Sequence, residues 1–229
     1  MVAGRDMRLL ESLAGRVSGG RGRGPAMVLR SPLRVSWREP AMVVAAYAGA
    51  GAFAIAASMS LGENPLSCAA WLGTGGMAGC LLSLGLGVLA GAATIAATHA
   101  MVGRFRWAQE LCVALRPSAQ YSSEATLAAV AVAGASGEEL LFRGFLAPLI
   151  GVVASSVVFG ALHQVRGPAR WGWMAWATVM GLVFASVFAA TGSLAGPLVA
   201  HAAINHANLR FLRDSRRQAP RRLGGLLRR

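Results

Sequence analysis

Residues 41–61 read AMVVAAYAGAGAFAIAASMSL, a run of 21 residues without a formal charge. A helix of this length rises about 30 Å, which is the thickness of the hydrocarbon core of a bilayer. Long apolar blocks follow along the chain, so that 55% of all residues are hydrophobic and only 14% are charged. A soluble domain has roughly 25% charged residues. The sequence therefore predicts an all-α membrane protein, disfavours a soluble enzyme and excludes a disordered chain.

The apolar blocks predict a polytopic transmembrane helix bundle of about six spans. After the first block, the uncharged stretch 66–103 predicts either one long tilted helix or a span with a re-entrant piece broken at its glycines. Four more apolar segments follow, at 124–147, 149–164, 172–191 and 194–212. The expected organisation is a flexible Arg/Gly-rich lead (1–40), N-terminal membrane helices with a connector (41–123), a catalytic four-helix membrane core (124–212) and an Arg-rich tail (213–229).

The net charge of +13 raises the question of a nucleic-acid partner. All 22 basic residues, however, are arginines, and the chain contains no lysine. Sixteen of them lie near the two termini, eight in residues 5–38 and eight in residues 210–229, where they flank the apolar spans. With six spans, both termini, the connector and the loop at 165–171 share one side and hold 21 of the 22 arginines. The positive-inside rule makes that side cytoplasmic. We therefore predict a multi-pass protein of the plasma or inner membrane, with the lipid bilayer and not nucleic acid as its partner.

Three charged residues interrupt the apolar stretch 125–165, namely Glu138, Glu139 and Arg143. An ionisable group inside a membrane segment is costly, so it usually faces the bundle interior and marks function. Glu139 and Arg143 are four residues apart with the glutamate first, which predicts a structural ion pair. Glu138 points 100° away around the helix and has no local partner. Its carboxylate suits a general base or acid.

Polar residues also interrupt two later apolar segments. His163 ends the stretch FGALH and is expected near the cytoplasmic end of its span. His201 and Asn205 are four residues apart and share one helix face. A lone histidine in a membrane helix more often forms a hydrogen bond to another helix than acts as a catalyst. Three polar clusters on three spans, one of them with an unpaired carboxylate, favour a catalytic site.

These clusters form three motifs in a fixed order: Glu-Glu-x-x-x-Arg at 138–143, Phe-x-x-x-His at 159–163 and His-x-x-x-Asn at 201–205. Each motif alone is weak, but all three inside apolar segments resemble the CAAX prenyl protease and bacteriocin-processing family of intramembrane glutamate endopeptidases. The resemblance covers about residues 125–212, and the first 120 residues contribute nothing to it.

The resemblance implies hydrolysis of a peptide bond in a membrane-tethered or C-terminally modified protein or peptide, without a cofactor. By this resemblance, Glu138 and His163 activate the attacking water. His201 and Asn205 stabilise the oxyanion, which is usually a large electrostatic contribution in acyl chemistry. The supporting residues that hold the site in place are Glu139, Arg143 and Phe159.

A serine mechanism is the first alternative, because residues 134–137 read Gly-Ala-Ser-Gly, the serine motif of rhomboid proteases. The stretch from Gly196 to His201 also resembles the histidine helix of that family. Ser136 and Glu138 lie 200° apart on a helix, so both cannot face one site. The upstream histidine that rhomboids need, His99, lacks an asparagine four residues later. The glutamate mechanism is therefore preferred.

Two further alternatives stay open. The first is a zinc site with two histidines, one glutamate and an open fourth position, formed by Glu138, His163 and His201. Against it, the sequence has no His-Glu-x-x-His helix, and the preferred mechanism uses no metal. A non-catalytic membrane binding or bacteriocin-immunity role is the other alternative. The cysteines lack metal-type spacing and are interpreted as small packing residues.

Overall fold

The computed structural model describes residues 40–120 and 122–215, and it contains no β-strand within them apart from one isolated bridge between Ser67 and Ser193. The fold is the all-α polytopic bundle that the sequence predicts. Its helices are α1 (Pro40–Ser60), α2 (Gly76–Arg104), α3 (Arg106–Leu115), α4 (Glu124–Glu139), a π-helical segment (Leu140–Leu146), α5 (Ala147–Ile150), α6 (Val152–Leu162), α7 (Ala169–Thr191) and α8 (Ala195–Asp214). The predicted lead, nearly all of the predicted tail and most of the terminal arginines lie outside the described residues.

Among the described residues, four helices are long and apolar enough to cross a membrane. They are α1, α2, α7 and the continuous helix Glu124–Ile150, called the rod below, which joins α4, the π segment and α5. The chain is thus a multi-pass membrane protein, but the predicted number of six spans is not reproduced. The 11 residues of α6 rise only about 16 Å, half of a bilayer core. The 20 residues of α8 are less apolar because they include histidines and end in charged residues.

The glycine-rich stretch does not break the chain, since α2 is one continuous helix of 29 residues. A buried stripe of small residues on α2, comprising Gly79, Ser83, Gly87 and Gly91, packs against α8 and the turn before it. The Ser83 hydroxyl donates to the Ser193 carbonyl at 2.8 Å and accepts from the backbone N–H of Gly196 at 3.0 Å. Small residues allow two membrane helices to approach to backbone contact. This contact fixes α8, which carries His201 and Asn205, against α2.

Substitution of Gly87 tests this contact. A Cβ atom at Gly87 would lie 2.3 Å from the Gly196 carbonyl oxygen, whereas at Gly85 nothing lies within 4 Å. We expect Gly87→Ala to lower the free energy of unfolding by about 1–3 kcal/mol, the usual cost of overpacking. The matched control Gly85→Ala should be neutral or stabilising, because alanine favours a helix more than glycine does. Thermal unfolding in detergent measures both, and equal melting temperatures would contradict the contact.

The connector helix α3 packs onto the bundle through apolar residues. Cys112 belongs to a buried cluster with Val102, Ala108, Leu127 and Leu212. Burial raises the pKa of the Cys112 thiol to about 11, so this thiol stays protonated at neutral pH. All three cysteines are free, which agrees with their predicted role as packing residues.

The rod changes its geometry directly after the paired glutamates. Ser123 caps its first turn by accepting a hydrogen bond from the Thr126 N–H at 3.1 Å, and the π segment begins after Glu139. Further along, Pro148 has no N–H to donate to the Gly144 carbonyl four residues earlier. The Ser58 hydroxyl of α1 donates to that carbonyl instead, at 3.3 Å. Such π segments are frequent at functional sites.

A hairpin at Gly151 sets the position of His163 relative to the two glutamates of the rod. Gly151 has a φ of 87°, where glycine is favoured, and the chain reverses there. The 11 residues of α6 run back along the π segment and α5, and the Phe142 and Phe159 rings meet at 4.9 Å. The end of α6 therefore reaches the level of Glu139. His163 directly follows the last residue of α6, a helix too short for the full span that the sequence predicts.

Candidate active site

A buried hydrogen-bonded group joins the rod to α8. The Glu139 side chain has no exposed surface, and its Oε1 accepts from Arg143 Nη1 at 2.9 Å and from His201 Nδ1 at 2.7 Å. The ion pair expected between Glu139 and Arg143 is thus present, with His201 as an additional donor. A buried charge is tolerated only when it is paired and hydrogen-bonded. Glu139 therefore connects two helices that carry different motifs.

Aromatic rings surround the Arg143 guanidinium. Its carbon lies 4.4 Å from the centre of the Phe159 ring and 5.5 Å from that of Phe184. Arg143 Nη2 also donates to the Gly181 carbonyl at 3.4 Å. Cation–π attraction is strongest where water is excluded, and the arginine is buried. Phe159, a supporting residue in the sequence motif, thus lies directly against the cation and ties α6 to the rod.

Glu138 occupies a more open position than its neighbour. Its side chain is 17% exposed, compared with 0% for Glu139. Glu138 Oε2 lies 3.6 Å from Nε2 of His201. The same imidazole therefore faces both carboxylates, with Nδ1 bonded to Glu139 and Nε2 directed to Glu138. The partner that Glu138 lacks on its own helix is supplied by α8 across the bundle.

The hydrogen bond of His163 determines which of its nitrogens is available. Nδ1 lies 2.7 Å from the Phe159 carbonyl oxygen, and a carbonyl oxygen can only accept. The proton is therefore assigned to Nδ1, which leaves Nε2 of the neutral ring as an acceptor. The ring packs between Phe159 at 4.3 Å and Trp173 at 5.3 Å, measured between ring centres. His163 also interacts electrostatically with Glu138 and His201.

Asn205 lies one helical turn after His201 and faces the rod. Its Nδ2 is 3.7 Å from the point where a Cβ atom on Gly134 would lie. Gly134 is one turn before Glu138 on the rod, so both share a face. The structure thus brings Glu138, His163, His201 and Asn205 from three separate elements to one region of the bundle.

Ser136 lies on another face of the rod. It lines an open, mostly apolar groove of about 300 Å³ between the rod and α1, whose walls include Gly51, Ala52, Ala133 and Leu140. Among the described residues, no hydrogen bond joins Ser136 to His201, whose Nδ1 is bonded to Glu139. The serine–histidine dyad of the alternative mechanism is therefore not assembled in this structure.

The hypothetical zinc site is the next arrangement to consider among the histidine and acidic side chains. Within residues 40–120 and 122–215, no three His, Cys, Asp or Glu side chains are grouped so that they could hold a metal ion. The hypothetical set of Glu138, His163 and His201 is included in that finding. Their contacts instead run through Glu139 and the Phe159 carbonyl.

One site residue has no counterpart in the sequence motifs. Tyr47 comes from α1, and its ring packs beside Gly134, one turn before Glu138 on the rod, so that the phenol interacts electrostatically with the Glu138 carboxylate. The signal in the sequence is weak, a single phenol in the middle of the uncharged run 41–61. Only the packing of α1 on the rod connects it with the carboxylate.

His206 lies outside this region and joins the far ends of two helices. It contacts the first residue of the rod, Glu124, at 2.9 Å, and Arg213 contacts the same carboxylate at 2.7 Å. Hydrogen bonds that Arg213 donates to Asp214 and Glu124 raise the pKa of Arg213. This cluster joins the start of the rod to the end of α8.

Residues 122–207 match the family model described as type II CAAX prenyl endopeptidase Rce1-like. The match begins two residues before the rod and ends within α8, so it contains all three motifs. Comparison with curated proteins gave no match, and neither did comparison with solved structures. The matched family consists of membrane-embedded proteases. By its motifs and by this match, the membrane core at residues 122–207 is similar to the Rce1-like type II CAAX prenyl endopeptidases.

Proposed function

We propose that this chain is an intramembrane endopeptidase that hydrolyses a peptide bond with a water molecule activated by Glu138 and His163. The contrast between two adjacent glutamates supports this proposal most directly. Glu139 is fully buried and bonded to Arg143, whereas Glu138 is partly exposed and faces two histidines. A general base must be reachable by water and substrate, and Glu138 is the carboxylate that meets this condition.

In the proposed first step, the water oxygen forms a bond to the substrate carbonyl carbon while its proton passes to Glu138. The acceptor Nε2 of His163 orients this water. In the second step, the bond between carbon and nitrogen breaks and the proton is delivered to the leaving amine. Positioned acid–base groups typically contribute about 10²–10⁴-fold to the rate.

His201 and Asn205 are proposed to stabilise the oxyanion that forms between these steps. Because Nδ1 of His201 donates to Glu139, donation from Nε2 requires a doubly protonated ring. The Asn205 amide, one turn further along α8, supplies a second donor.

The proposed substrate is a membrane-tethered or C-terminally modified protein or peptide. The rod and α7, which surround the site, belong to the helices that can cross a membrane, so a scissile bond reaches the site most readily from a chain held at the bilayer. The description of the matched family points to a prenylated C-terminus. Peptide precursors and C-terminal sorting tags carry the same peptide bond and are proposed as further substrates.

The proposal is tested in cells, where the substrate need not be known. Terminal peptides of membrane proteins are compared by mass spectrometry in cells that express wild type, Glu138→Ala or Ser136→Ala at matched levels. We expect cleaved termini that vanish with Glu138→Ala and persist with Ser136→Ala. Loss with Ser136→Ala alone would establish the serine mechanism instead. If both variants match wild type while deletion of the gene has a phenotype, a binding or immunity role replaces the catalytic one.

The proposed reaction uses no metal. Purified protein is expected to keep its activity in the presence of a chelator. Stoichiometric zinc, together with activity that a chelator removes and zinc restores, would overturn this part of the proposal.

A further inference from the structure

We infer that Tyr47 is a positioning residue for the reaction, which holds the Glu138 carboxylate from a helix outside the matched segment 122–207. The inference rests on the proposed function, because it gives Glu138 the role of the base. It extends the site to α1, a helix that none of the three motifs reaches.

The backbones of α1 and the rod touch at the residue before Glu138. A Cβ atom on Gly137 would lie 2.5 Å from the Tyr47 carbonyl oxygen, and one on Gly51 would lie 3.6 Å from the Gly137 Cα atom. Any side chain at Gly137 would therefore push α1 away from the rod. This approach brings the Tyr47 phenol within reach of the Glu138 carboxylate.

The side chains of Tyr47 and Asn205 both pack against Gly134. The point where its Cβ atom would lie is 3.5 Å from Cε2 of Tyr47 and 3.7 Å from Nδ2 of Asn205. Since Gly134 and Glu138 share a face of the rod, the phenol, the amide and the carboxylate lie together. A phenol from α1 thus enters the region that contains the proposed base and an oxyanion donor.

Side chains from four elements interact with Glu138. His201 approaches from α8, His163 from the end of α6, Arg143 from the rod itself and Tyr47 from α1. Within this set, Tyr47 is the donor that brings no formal charge. A hydrogen bond from the phenol favours the ionised carboxylate and fixes its orientation, so that it can take a proton from water.

The variant Tyr47→Phe removes the hydroxyl and keeps the ring on Gly134. With the full chain in detergent and a substrate peptide from the cell comparison, we expect kcat to fall about 10- to 100-fold, the range for losing a hydrogen bond to a charged group. KM and the melting temperature should stay unchanged. A fall in kcat at constant KM and melting temperature distinguishes a misplaced carboxylate from a loss of folded enzyme.

Two further variants, Tyr47→Ala and Glu138→Gln, show whether a negative result concerns Tyr47 alone or the proposed function as well. Tyr47→Ala removes the ring as well, so a purely structural role predicts that Tyr47→Phe behaves as wild type and Tyr47→Ala alone is defective. That result, or a Tyr47→Phe variant in which KM rises while kcat stays constant, overturns the inference. If Glu138→Gln is inactive in the same assay, the proposed function survives this failure. An active Glu138→Gln would overturn the proposed function itself.

Discussion

Replacement of Glu138 by glutamine is expected to lower kcat about 10²–10⁴-fold, the usual contribution of a positioned base. Glutamine has nearly the same size as glutamate but cannot take a proton from water. The Glu138 side chain is partly exposed, and its contact with His201 Nε2 is 3.6 Å long, so the fold does not depend strongly on its charge. We therefore expect the melting temperature to change little. Rate and melting temperature should be measured on the same preparation.

The neighbouring residue is the matched control for this prediction. In Glu139→Gln, Arg143 loses its buried anion and His201 loses the acceptor of its Nδ1 hydrogen bond. This variant should lower both the melting temperature and the rate. In Glu138→Gln the rate should therefore fall at an almost constant melting temperature, whereas in Glu139→Gln both should fall. Near-normal turnover in Glu138→Gln, or equal destabilisation by both substitutions, would contradict the roles given to the two carboxylates.

Removal of Arg143 is expected to have the largest effect on stability. In Arg143→Met, the Glu139 carboxylate keeps a buried charge without its cation, and breaking a buried pair in this way typically costs about 3–5 kcal/mol. The guanidinium also leaves the rings of Phe159 and Phe184. The measurement is thermal or denaturant unfolding in detergent, together with the yield of monodisperse protein.

An exposed ion pair of the same length provides the comparison. Arg106 and Glu110 are also four residues apart and 2.9 Å from each other, but their side chains are 82% and 32% exposed. Arg106→Ala should therefore cost no more than about 1 kcal/mol. The double variant Arg143→Met with Glu139→Gln should regain part of the lost stability and stay inactive, because His201 has lost its anion. Equal losses for Arg106→Ala and Arg143→Met would show that burial does not decide the strength of these pairs.

The sequence located the site segment because its signal is local. Charged residues stand out in an apolar stretch, and a spacing of four residues places His201 and Asn205 on one face without knowledge of any other helix. The same reasoning predicted the ion pair between Glu139 and Arg143, which the structure contains. The family match over residues 122–207 covers the segment that these motifs indicated.

The number of spans and the short reversed path of α6 could not be predicted from local sequence patterns. Apolar length alone cannot distinguish a full span from α6, which turns back at Gly151 and ends level with Glu139. Nor could hydropathy decide whether the glycines of α2 break the helix. They pack instead against α8, where the absence of a side chain permits backbone contact.

Composition and helical spacing are properties of neighbouring residues, and they suffice to predict an all-α membrane protein and the residues that carry its polar motifs. The contacts of His201 with Glu138 and Glu139, and the position of the Tyr47 ring beside Gly134, follow from the packing of separate helices. These contacts join residues far apart in the chain. They depend on how closely the helices approach at Gly134 and Gly137 and on their relative register, which arise from packing and not from any local pattern.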